Sequence, residues 1–75
     1  MNPFAQPGQW FPADITDRDG QPLGLGHLVN AQLGRRYIAG EIVGWRPPDR
    51  VRVLTESLHL HTVVLARVRL AQAAD

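Results

Sequence analysis

The sequence predicts an all-β protein: a small five-stranded barrel reached through an extended amino-terminal arm. Three observations carry that expectation. Short runs rich in β-branched and aromatic residues alternate apolar with polar side chains, the period of a half-buried strand. Gly, Pro and Asp clusters interrupt these runs about every ten residues, as in small all-β domains. No stretch sustains the period of an amphipathic helix.

Residues 1–22 form the arm and its turn. Pro3, Pro7 and Pro12, with Phe4, Trp10 and Phe11 between them, exclude a continuous helix and favour extended or polyproline-like chain. Packing on the barrel or on a neighbouring subunit would bury those aromatic rings. Asp17-Arg18-Asp19-Gly20 is a β-turn, in which Asp bonds back to its own backbone and Gly takes the conformation other residues resist. It is not a calcium loop, because Ile15 and Gly26 stand where an EF-hand needs its first ligand and its closing Glu.

Residues 23–71 supply the barrel, and 72–75 a frayed tail. A Gly- and Pro-rich loop leads to a first strand at His27–Leu33, and Gly34-Arg35-Arg36 turns the chain. The second strand runs from Tyr37 to Trp45, with Gly40 marking a bulge or sharp bend. Pro47-Pro48-Asp49 cannot extend a ladder. In the third strand, Arg50–Glu56, Val51, Val53 and Thr55 share one face, and Arg50, Arg52 and Leu54 the other. The fourth, Leu58–Leu65, sets Leu58 and Leu60 against His59 and His61. The last puts Val68 and Leu70 inside and Arg67 and Arg69 outside.

With 75 residues the chain makes one domain, and one this small buries only about 60% of the surface its unfolded form exposes. There is no cysteine, which removes disulfides and thiolate metal sites as reinforcement and leaves self-association. Charge is nearly balanced, 8 basic against 7 acidic residues, and every basic residue is arginine. Asp14, Asp17 and Asp19 gather near the start, so the remainder is basic and suited to anionic partners. The longest apolar run, Val63–Ala66, cannot span a bilayer, and no leader pattern opens the chain. The expectation is a cytoplasmic protein with no membrane partner.

Arg46, Arg50, Arg52, Arg67 and Arg69 form the candidate binding face, because the guanidinium fork matches phosphate and carboxylate geometry. Tyr37 and Trp45 are the barrel aromatics on which bases could stack. Trp45 alternatively edges the core or anchors an interface. His59 and His61, two apart on a strand and about 7 Å from one another, are the one pair able to share a metal. They lack a third ligand unless His27 or Glu56 supplies it, so two solvated histidines is the reading adopted. Ser57, the single serine, has no Asp-His partnership around it, and no catalytic group is assigned.

Gly26-His27-Leu28-Val29 and Gly40-Glu41-Ile42-Val43-Gly44-Trp45 resemble the opening strands of SH3-like barrels. Together with the step Trp10-Phe11-Pro12 and the length, the hexapeptide is similar to that of the plasmid-borne type II dihydrofolate reductases, over about residues 10–70. The resemblance implies an SH3-like fold and a tetramer around one pore, where NADPH and dihydrofolate meet. The pore-equivalent positions would be Gln32, where the family has lysine, and Thr62, Val64, Leu65 and Ala66, where it has a Val-Gln-Ile-Tyr stretch. A looser resemblance to Sm-like RNA-binding barrels runs from Val29 to Leu54, through Gly34-Arg35 and Gly40-Glu41-Ile42.

The expected function is therefore a non-catalytic, homo-oligomeric SH3-like binding module of the kind small mobile-element or phage genes encode. It would have no cofactor, and its partners would be its own copies, a protein or a nucleic acid. Two alternatives stand beside it: a divergent reductase using NADPH, and an Sm-like RNA or DNA binder using the arginine face.

Overall fold

A computed structural model describes residues 10–71. It contains five strands, β1 (Leu28–Leu33), β2 (Arg36–Arg46), β3 (Arg50–Thr55), β4 (Leu60–Val64) and β5 (Val68–Leu70), with one 3-10 turn, η1 (Leu65–Arg67), before the last. All pairings are antiparallel, and the sheet order is β4-β3-β2-β1-β5. Among the described residues no helix is long and apolar enough to cross a membrane.

Alternation built these strands. On β3, Val51 and Val53 are fully buried while Arg50 and Arg52 are exposed. The core is almost entirely β-branched: Val29, Ile42, Val51, Val53, Val63 and Val68, with Leu23 and Ala31. Such side chains pack well on a pleated surface. One sheet with one apolar face must wrap around that face, and the molecule is nearly isometric at 32 × 29 × 28 Å. Gly34 adopts φ +62° as the first residue of the two-residue β1–β2 turn, where a positive φ matches the twist of the strands.

The expected closure into a barrel is not reached, since β4 and β5 are edge strands that do not pair with each other. The residues before the sheet explain one of those edges. Ile15 and Leu23 bond across a small hairpin (Leu23 N–H to Ile15 O, 2.9 Å), and the turn at its tip lies along β5, where the Arg18 N–H donates to Val68 O at 3.0 Å. β5 is thus already occupied on its outer side. Phe11, Ile15 and Leu23 join the core, so the sequence around the Asp17 turn belongs to the folded unit. The expected turn itself is present, with Gly20 donating to Asp17 O at 3.1 Å and lying at φ +82°.

Two further expectations are corrected. The register shift of β2 lies between Ile42 and Gly44, not at Gly40. Gly40 pairs regularly, and glycine is needed there because a Cβ would stand 2.5 Å from the Leu54 carbonyl oxygen. The fourth strand begins at Leu60, because Leu58 takes φ +65° in the turn that precedes it. His59 therefore precedes the strand, although its carbonyl still accepts the Thr55 N–H at 2.9 Å. Leu60 and His61 lie opposite Leu54 and Val53. The arm residues before Trp10, including Pro3, Phe4 and Pro7, and the tail 72–75 lie outside the described residues.

Candidate functional site

The outer face of β5, β1 and β2 carries polar side chains in register. Asn30 lies opposite Arg69, and Gln32 opposite Tyr37. Side chains paired this way in an antiparallel sheet point to the same face. Arg67 follows from η1, and Arg18 comes from the turn docked on β5. These six line one concavity of about 350 Å³. An adjoining concavity of about 330 Å³ shares Gln32 and Arg67 with it and adds Arg50, Thr62 and Val64. The two form a continuous basic track running from Arg18 and Arg69, past Arg67, to Arg50.

Electrostatics along the track are asymmetric. Arg69 donates from Nε to Asp19 Oδ2 at 2.7 Å, an ion pair at one end of the track. Both side chains are about half exposed, so the pair holds geometry more than it contributes stability. Arg18, Arg50 and Arg67 have no carboxylate partner among the described residues. Tyr37 is 72% exposed, leaving its ring face open for stacking. The Gln32 amide is held by donating to Gly34 O at 3.2 Å.

Asp17 supports this end of the sheet from below. Only 6% exposed, its carboxylate accepts the N–H of Asp19 and of Gln21 on Oδ1, both at 2.8 Å, and of Leu70 on Oδ2 at 2.7 Å. Burial alone would raise its pKa, but those three N–H groups and the charge of Arg69 outweigh it and hold the carboxyl below its ordinary value. One buried anion thus fixes the turn that presents Arg18 and Asp19.

The expected arginine face is divided by the structure. Arg50, Arg67 and Arg69 lie on the track with Tyr37. Arg46 is the cross-strand partner of Arg50, and Arg52 stands opposite Thr62 on the same outer face. Trp45 is not on this face. It packs against the core, its ring edge-on to Phe11 at 5.8 Å, as the core-edge reading expects. Of the pore-equivalent positions, Gln32, Thr62 and Val64 meet in one concavity, while Leu65 and Ala66 form η1.

His59 and His61 share a different concavity with Arg36, Glu56 and Ser57. The His59 ring lies 3.3 Å from the Ser57 hydroxyl, itself 3.1 Å from Thr55 Oγ1. These contacts close the β3–β4 turn. Among the described residues no three His, Asp or Glu side chains gather to hold a metal. Glu41 and Glu56 lie in a more apolar groove of about 450 Å³, with Leu28, Leu54 and Leu58.

Sequence reasoning missed Arg18 and Asn30. Asn30 was recoverable in principle, since it shares parity with Gln32 on the first strand. Arg18 was not, because only the long-range docking of its turn brings it here. Comparison with protein families, curated proteins and solved structures finds no match for this chain.

Proposed function

We propose that this protein is a non-catalytic, SH3-like binding module that takes single-stranded nucleic acid along the Arg18–Arg50 track. The observation that carries the reading is the exposed Tyr37 ring seated among Arg18, Arg67 and Arg69. Single-strand binding needs two things at close quarters, cations that follow the phosphates and an aromatic face on which a base stacks. Asn30 and Gln32 add amide groups able to meet base edges. The strand order, with one 3-10 turn between the last two strands, supports the SH3-like reading.

The test is fluorescence anisotropy of a labelled single-stranded oligonucleotide. Tyr37→Ala is expected to weaken binding about tenfold, the scale of one lost base–aromatic stack of roughly 1.4 kcal/mol. Trp45→Phe, on the core side, is expected to leave affinity unchanged. Equal affinity for the wild type and Tyr37→Ala would remove the reading.

A second reading is favoured by one observation, the meeting of Gln32, Thr62 and Val64 beside Arg50 and Arg67. These include positions that the resemblance to type II dihydrofolate reductases places at a pore, and the two arginines suit the phosphates of NADPH. Dihydrofolate-dependent loss of NADPH absorbance that survives trimethoprim would establish it. No turnover at high protein concentration would leave the binding module alone.

A further inference from the structure

The two edges of the sheet are treated differently. β5 is covered by the Asp17 turn, through Arg18 N–H to Val68 O and Leu70 N–H to Asp17 Oδ2. No backbone group outside β3 bonds to β4 among the described residues. The groups that β4 leaves open follow from its ladder. Thr55 N–H donates to His59 O, and Leu65 N–H to Asp49 O, each at 2.9 Å. Hydrogen-bonded pairs alternate in an antiparallel ladder, so Val53–His61 and Val51–Val63 are bonded pairs. The N–H and C=O of Leu60, Thr62 and Val64 therefore point away from the sheet.

Natural edge strands are usually guarded by lysine, proline, a bulge or a covering segment. β4 reads Leu-His-Thr-Val-Val, with no proline, no lysine and no acid, and its register with β3 is regular. We propose that β4 is a self-association edge, pairing antiparallel with β4 of a second copy about a two-fold axis at Thr62. An antiparallel edge is its own complement under a two-fold. In this register Thr62 faces Thr62 of the other copy and Leu60 faces Val64, all favourable cross-strand neighbours. About six backbone hydrogen bonds form, and a net charge of +1 offers little opposition. The pairing also has a functional consequence. Arg50 and Arg52 stand beside Val64 and Thr62 on the outer face, so the two basic tracks join across a ten-stranded sheet.

Sedimentation velocity on the full chain without nucleic acid tests the edge separately from ligand binding. The wild type is expected to be a dimer. Thr62→Pro removes an N–H that β3 does not use, and Thr62→Lys sets like charges against each other at the axis. Both are expected to give folded monomers by circular dichroism, and if Thr62→Pro unfolds, Thr62→Lys carries the test. A wild type that stays monomeric at millimolar concentration overturns the proposal. So does a folded Thr62→Lys that remains dimeric, or a dimer that only Leu58→Glu in the apolar groove dissolves.

Discussion

Asp17 is a polar side chain on which much of the described architecture converges. Its carboxylate answers three backbone N–H groups, one of them 53 positions away on β5. Asp17→Ala leaves those donors without their partner and is expected to cost about 2–3 kcal/mol, read by urea denaturation. The same anion sets a pH dependence. Its pKa is lowered on folding from the ordinary 3.8, so its contribution is complete above that value and disappears as pH falls through the lower folded one. The acid limb of the stability profile should accordingly be shallower in Asp17→Ala. Gly40 is the second residue on which the fold turns. A methyl there meets the Leu54 carbonyl carbon at 2.9 Å and Val53 Cγ1 at 2.7 Å, neither of which can yield cheaply. Gly40→Ala should cost about 2–3 kcal/mol, seen as a lower urea midpoint at unchanged slope.

Among the elements, alternation made the strands readable, because a buried face opposite a wet one leaves a period of two in the sequence. Val51 and Val53 were set on one face, and Val68 inside, on that ground alone, whereas the burial of Val63 was not assigned. What alternation does not carry is where a ladder slips. Gly40 attracted the bulge because glycine often marks one, whereas here it marks a close approach of β3, and the slip falls one turn of the pleat later. The fourth strand failed at its start for a similar reason. Leu58 looks like a strand residue, but the hydroxyls of Thr55 and Ser57 and the His59 ring close a tight turn around it. The hairpin before β1 was likewise readable as a turn but not as the cover of β5. Two substitutions separate its roles. Arg18→Pro removes the N–H given to Val68 and should cost about 1 kcal/mol of stability. Arg18→Ala keeps that bond and should weaken nucleic-acid binding with little change in the unfolding midpoint.

Across the whole molecule, the proposed function rests on how charge is laid over a small core. The chain is almost neutral overall, yet Arg18, Arg50, Arg67 and Arg69 collect along one track, with Asp19 the acid paired to it. The arginines themselves were visible in the sequence. The grouping of Arg50, Arg67 and Arg69 was expected as well, but that of Arg18 was not, since it depends on the turn docked along β5. A single strand following the proposed track would release condensed counterions at each phosphate held, so its affinity is expected to fall with salt, by roughly 0.7 in logarithmic slope per phosphate. The most direct measurement is that slope, taken with one single-stranded oligonucleotide for the wild type and for Arg67→Ala. A steep wild-type slope that drops by roughly 0.7, one phosphate contact, in Arg67→Ala is the predicted result. No binding at low salt, or a slope that Arg67→Ala leaves untouched, would contradict the assignment of the track.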